Sequence, residues 1–232
     1  MSENWLLIET SGRVGKVGLT CAREVVRAVE LDATRRHARD LATAVKTMLD
    51  GEGIRPGNLT GVMVSGGPGS YTGLRVGVMS AKALAYATGC QLVAVPTFAA
   101  IILRTPSEAR HVWVIADALQ GHIYLQRFTR ELDAGGWTQA SELRIEFAED
   151  HLKEAGPEVW MSGPGVAVHA GRNIPQTCRL VAEVNREPTV ESLFQAGSRL
   201  APLSRDEMFR LEPLYLRGSS AEENAKKSEP RG

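Results

Sequence analysis

Residues 65–77 read Ser-Gly-Gly-Pro-Gly-Ser-Tyr-Thr-Gly-Leu-Arg-Val-Gly, and the reading of this stretch decides the fold. Ahead of it, residues 61–65 (Gly-Val-Met-Val-Ser) form a short apolar run of the length of a buried strand. Behind it, residues 73–87 are apolar almost throughout and long enough for a helix. The glycines supply positive φ and close backbone approach where the chain must turn from one element into the other. The stretch is therefore a strand-to-helix turn, the connection from which α/β folds are built.

Three phosphate or nucleophile templates fail on it. A Walker A loop needs Gly-Lys-Ser/Thr, and the first lysine after the turn is Lys82. A dinucleotide fingerprint counted from Gly67 and Gly69 needs a third Gly or Ala where Thr72 stands. A nucleophile elbow around Ser70 meets Pro68 and Thr72 in place of its glycines. What remains is general: a helix N-terminus offers free N–H groups and partial positive charge to an anion. Gly67, Gly69 and Ser70 are the candidate phosphate-binding residues, and a tight turn with no ligand is the alternative.

Gly69, Gly73, Gly77, Ala81, Ala85 and Gly89 recur every fourth residue. Residues four apart share a helical face, so the helix carries a stripe with almost no side-chain bulk. Such a stripe admits another backbone at close range. The rest of the helix, Leu74, Val76, Val78, Met79, Leu84 and Tyr86, is also apolar, with charge only at Arg75 and Lys82. A helix apolar all round is buried all round. The expectation is burial against a sheet on one side and a partner on the other; complete cover within the chain's own domain is the second reading.

Outward from this unit, residues 5–9, 14–20 and 24–31 read as an antiparallel meander. Ala38, Leu41, Ala42, Val45, Met48 and Leu49 recur at helical spacing, and Gly51 marks a stop. Residues 91–95 read as a strand and 97–104 as a short helix. After a polar break at 105–110 the order repeats: strands at 111–117, 121–128 and 137–145, a helix at 148–155, a strand at 158–162, a helical turn at 165–171, a strand at 178–181 and a helix at 189–200. The fold class is a duplicated mixed α/β architecture, with a first lobe over 1–106, a second over 107–217, and a polar tail at 218–232 too poor in apolar residues to fold.

The 232 residues are 43% hydrophobic, and 27 basic side chains balance 27 acidic ones. No global charge favours nucleic acid or a membrane surface. The apolar run at 5–8 is too short for a signal peptide, and no window approaches the ~18 apolar residues of a membrane span. Cys21, Cys90 and Cys178 form no disulfide framework, so a cytoplasmic location is expected. The five histidines, His37, His111, His122, His151 and His169, contain no HxxH or HxxxH pair, so no metal site is expected. No catalytic residue set can be assembled. Two strands do end on acid-then-glycine turns: Glu9-Thr10-Ser11-Gly12 and Asp117-Ala118-Leu119-Gln120-Gly121. Glu9, Ser11, Asp117 and Gly121 could face one another across the cleft and handle a metal–nucleotide phosphate; plain turn chemistry is the alternative.

The 65–77 motif resembles the signature of the TsaB (YeaZ) family, the non-catalytic partner subunits that help make N6-threonylcarbamoyladenosine at position 37 of tRNA. Further segments agree in order: Leu7-Ile8-Glu9-Thr10-Ser11, His37-Ala-Arg-Asp-Leu41, Asp117-Ala-Leu-Gln-Gly-His-Ile-Tyr124 and Glu212-Pro-Leu-Tyr-Leu-Arg217. The resemblance covers residues 5–217. It implies the actin-like/Hsp70-like (ASKHA) ATPase fold. It also implies pairing with the catalytic sister TsaD through the first two helices, making His37, Leu41, Val45, Gly73, Gly77, Val78, Ala81 and Ala85 the interface candidates. The resemblance further implies that the small ATPase TsaE joins the complex, that the chain homodimerises when alone, and that tRNA is reached only through the complex. Glu9 stands where active ATPases of the fold keep Asp, Leu119 where the family's hairpin carries Arg, and Ser162-Gly163-Pro164-Gly165 only echoes an adenosine-binding loop. No cofactor is expected to be required, and any ATP or ADP binding is expected to be weak. The competing expectation is a free-standing ATP-binding phosphotransferase or ATPase using Glu9, Asp117 and the glycine-rich turns. A peptidase finds neither elbow nor metal pair.

Overall fold

The computed structural model describes residues 3–31, 38–130 and 136–214. The expected tail at 218–232 and the interface candidate His37 lie outside the described residues.

Strand β1 (Asn4–Glu9) is buried along its whole length. It runs antiparallel to β2 (Lys16–Cys21), which runs antiparallel to β3 (Glu24–Glu30). On its other side β1 pairs in parallel with β4 (Gly61–Gly67), and β4 with β5 (Gln91–Pro96), giving the order β3-β2-β1-β4-β5. Parallel pairing forces the connections to cross over the sheet. These are α1 (Ala38–Gly51), leading into β4, and α2 (Tyr71–Thr88), leading into β5. After β5, α3 (Thr97–Ile102) leads to the second sheet. That sheet repeats the plan: β6 (His111–Asp117) is antiparallel to β7 (His122–Arg130) and parallel to β10 (Val159–Ser162), which is parallel to β11 (Arg179–Leu180). The expected third strand at 137–145 is two strands, β8 (Trp137–Gln139) and β9 (Arg144–Phe147), both antiparallel to β7. Short helices α4 (Ala148–His151) and α5 (Val166–His169) lie in the second lobe.

Side chains alternate across a strand, and β1 uses both faces. Leu6 and Ile8 join a cluster with Leu41, Met48, Val78, Ala81 and Ala85, under α1 and α2. Trp5 and Leu7 join the opposite cluster, with Met63, Val93, Val95, Val190, Leu193 and Ala196. The last three belong to α6 (Val190–Gly197). The division at residue 106 is therefore corrected: α6 follows the second lobe in sequence but packs on the first sheet. There it covers Trp5 and Leu7, the face of β1 turned away from α1 and α2. Met208 of α7 (Arg205–Arg210), a helix the sequence pattern missed, joins the α1–α2 cluster. Phe98, Ile101 and Ile102 of α3 pack on Val112, Val114 and Phe128, so α3 is shared between the lobes.

Candidate functional site

Helix α2 begins at Tyr71, two residues before the expected start at residue 73, and its N-terminus is closed by the chain itself. The Ser70 Oγ accepts from Gly73 N at 3.3 Å and caps the first turn. Ser70 N donates to Ser11 O at 2.7 Å, and Thr10 N donates to Ser65 Oγ at 3.1 Å. From the other side Leu214 N donates to Gly66 O at 2.9 Å. Gly67 sits at φ 111°, which an L side chain resists. A Cβ added to Gly69 would lie 2.5 Å from Ser11 O; one added to Gly73 or Gly77 would lie closer still, to Thr10 O and Thr10 Oγ1 respectively. The first half of the small-residue stripe, Gly69, Gly73 and Gly77, is thus the seat for the β1–β2 turn, while Ala81 and Ala85 join the apolar core. This corrects two expectations. Gly67, Gly69 and Ser70 do not form an open phosphate cradle, because Ser11 fills the place. Gly77, Val78, Ala81 and Ala85 are buried inside their own lobe and cannot line a partner's surface; Gly73 is half-buried against Thr10.

The side of α2 that faces solvent is the opposite one. Arg75, Met79, Ala83 and Tyr86 are exposed at helical spacing, Met79 by 56% and Tyr86 by 63%. Tyr86 meets Phe209 of α7 edge to face, with centroids 5.8 Å apart, and Phe209 is itself 52% exposed. Lys82 Nζ holds α7 there by donating to Phe209 O at 2.9 Å and Leu211 O at 2.8 Å. On α1, Leu41 is buried and Val45 half-buried, whereas Ala42, Lys46, Thr47 and Asp50 are exposed. The outer face of the helix pair is therefore an apolar strip on α2 beside a polar one on α1. The sequence reading saw Met79 and Tyr86 as apolar but turned the small-residue stripe toward a partner, and that stripe is the buried side of the helix. The same helical spacing, started at Arg75 instead of Gly69, marks the open face. Phe209 left no local signal.

The two acid–glycine turns are not equivalent. Glu9 is fully buried, and its Oε1 accepts from Ser11 N at 2.6 Å and from Ser11 Oγ; its Oε2 has no partner among the described residues. Burial pushes its carboxyl above the ordinary 4.5, opposed by the Ser11 hydrogen bonds and the Lys16 charge. Asp117 is exposed, and its carboxylate accepts from Leu119 N at 3.1 Å, shaping a turn in which Leu119, Gln120 and Gly121 all have positive φ. Asp117 and Gly121 are accounted for by turn chemistry, and Glu9 is fully buried with one oxygen held by Ser11, so its carboxyl does not open onto a cleft. Among the described residues no group of three His, Cys, Asp or Glu could hold a metal ion, and no helix is long and apolar enough to cross a membrane.

A raised folded-state value means that the fold holds the Glu9 proton more tightly than the unfolded chain does. That contribution is complete below pH 4.5 and is lost as pH rises through the folded value. Relative to Glu9→Gln, the wild-type chain is expected to lose stability steadily above pH 4.5. Urea midpoints of both proteins across pH 4–8 test this, and a pH-independent difference between them would refute it.

Comparison with known proteins places this arrangement. A family model described as "TsaD: tRNA N6-adenosine threonylcarbamoyltransferase" matches residues 29–183, about two thirds of the chain. An uncharacterized protein of Mycobacterium tuberculosis is 30% identical over 224 residues, covering 93% of this chain and 92% of its own. The tRNA threonylcarbamoyladenosine biosynthesis protein TsaB of Escherichia coli is 24% identical over 229 residues, covering 93% of this chain and 95% of its own. Among solved structures, YeaZ from Pseudomonas aeruginosa superposes with a TM-score of 0.74 at 22% identity, over 92% of this chain and all of that one.

Proposed function

Because the chain belongs to the TsaB (YeaZ) family, we propose that it is a non-catalytic subunit in the synthesis of N6-threonylcarbamoyladenosine on tRNA, binding the catalytic subunit TsaD through the outer face of α2. The observation that carries this reading is the exposed strip Arg75, Met79, Ala83 and Tyr86, continued by Phe209. Surfaces of this kind on a globular chain mark sites of association, and aromatic residues and Met are enriched at such sites. The glycine stripe supports the strip from behind: Gly69, Gly73 and Gly77 let Thr10 and Ser11 of the β1–β2 turn sit directly on α2, so the helix is fixed and the strip is preformed. A preformed surface loses less entropy on binding.

In this reading TsaE and tRNA reach the chain only through the complex, and the isolated chain covers the strip by pairing with a second copy. The cytoplasm, where tRNA is modified, is its place of work. No cofactor is required, and nucleotide binding is weak. The buried Glu9 and the turn-forming Asp117 argue against the free-standing ATPase.

Copurification with TsaD tests the proposal. Met79→Asp and Tyr86→Asp, both at exposed positions, are expected to weaken binding at least ~30-fold each, the effect of losing a central interface side chain worth about 2 kcal/mol. Their melting temperatures should stay near wild type, since exposed substitutions cost within about 0.5 kcal/mol. Wild-type affinity in both variants would end this reading.

A further inference from the structure

Residues 203–214 form a strap along the first lobe, with α7 in its middle. Main-chain bonds tie its ends to the first sheet: Leu203 N donates to Leu92 O at 2.8 Å, and Leu214 N to Gly66 O at 2.9 Å. Between them, Met208 is buried in the α1–α2 cluster, and Lys82 Nζ reaches from α2 to Phe209 O and Leu211 O. Helix α7 has six residues, too few to be stable alone in water, so these contacts set its place. The Ser204–Glu207 capping box closes its first turn from within the strap. The last carbonyls of a helix have no donor within it, and here Lys82 supplies the donors. Its positive charge also suits that end of the helix. Met208 and Phe209 are neighbours and so point about 100° apart on the helix. With Met208 inserted toward α1 and α2, Phe209 is turned out against Tyr86, half open to solvent.

We propose that Lys82 is a positioning residue for the docking of TsaD: it latches the strap so that Phe209 completes the strip on α2, and TsaD, by covering Phe209, fixes the strap in return. The inference rests on the α2 docking reading and adds to it an element that sets its strength. With the latch closed, Met79, Tyr86 and Phe209 make one apolar surface from segments 127 residues apart at the Lys82–Phe209 bond. With the latch open, Met79 and Tyr86 stay on α2, but Phe209 leaves with the strap. Such coupling is reciprocal: what the seated strap adds to TsaD binding, TsaD binding returns to the strap. Any event that frees the strap therefore weakens the docking of TsaD without altering α2.

Calorimetric titration of the full chain with TsaD tests it, using Lys82→Met, Phe209→Ala and the two combined. Each single variant is expected to weaken binding roughly tenfold, as the loss of one interface side chain does. The combined variant should be no weaker, because both changes remove the same ring from the surface. Wild-type affinity in Lys82→Met, or a combined loss of about a hundredfold as for independent residues, would overturn the proposal. Met79→Asp separates this inference from the reading beneath it. If Met79→Asp weakens binding and Lys82→Met does not, the strip stands and the latch falls; if neither weakens it, both fall. Hydrogen exchange reads the strap directly. In Lys82→Met the Leu211 and Leu214 amides should exchange faster, while the Leu74 amide, bonded to Ser70 O at 2.8 Å, keeps its wild-type rate. Should Lys82→Met unsettle the whole fold, the wild-type chain carries the test: its Leu211 and Leu214 amides should exchange more slowly once TsaD is bound, and unchanged exchange overturns the proposal.

Discussion

Gly73→Ala is expected to lower the melting temperature by roughly 6–12 °C, although it adds a single methyl group to a helix. Alanine is the better helix former by about 1 kcal/mol, so propensity alone forecasts a gain. The surroundings forecast the reverse. The added Cβ would press into the backbone carbonyl of Thr10, which is fixed by the Thr10 N–H···Ser65 Oγ bond and by the pairing of β1 on both sides. A backbone atom cannot rotate away as a flexible side chain can, so α2 must move from the sheet or the β1–β2 turn must open. Overpacking a tight site costs about 3 kcal/mol, which at about 2–4 °C per kcal/mol for a chain of this size gives the stated range. Binding to TsaD would then fall only in proportion to the folded fraction. A Gly73→Ala protein that melts with wild type yet fails to bind TsaD would reverse the assignment and make the stripe the interface.

A fragment of residues 1–110, the whole first lobe by sequence order, is expected to show no cooperative melting transition. Without α6 it exposes Trp5, Leu7, Met63, Val93 and Val95, which in the complete chain are covered by Val190, Leu193 and Ala196. Each large side chain returned to water costs about 1.5–3 kcal/mol, and several together exceed the ~5–15 kcal/mol by which ordinary domains are stable. In the intact protein, Leu193→Ala removes the fully buried centre of this cover and should cost about 2–5 kcal/mol. Chemical denaturation measures it; a fragment that melts cooperatively, or a Leu193→Ala protein with an unchanged midpoint, would mean that the first sheet does not depend on α6.

Residues 65–77 declared a strand, a turn and a helix because each signal is local: an apolar run, glycines where the backbone must turn, and a long apolar stretch behind them. The duplication was legible for the same reason, since the period of apolar residues changes from two to 3.6 and back in the same order in each half. The resemblance carried the family. Local signals do not say which neighbour a surface meets. The glycine spacing announced that something approaches α2 closely, and only the tertiary structure shows that this is Thr10 and Ser11, leaving Met79 and Tyr86 outside. Glu9 and Asp117 looked alike as residues before a glycine turn; burial left one enclosed against Ser11 with its carboxyl pushed above the ordinary range, and exposure made the other a turn former.

What the sequence by itself determined is the order and type of most elements, with α7 and the split of β8 from β9 as the exceptions, the position of the tight turn, and the family. What only the tertiary structure decided is the set of long-range meetings: Thr10 with Ser65 across 55 residues, Lys82 with Leu211 across 129, and Lys16 with Pro188 across 172. Backbone preferences act between near neighbours and are written residue by residue. Packing and charge pairing depend on which faces are left over once the sheets have formed, and that sum is taken over the whole chain.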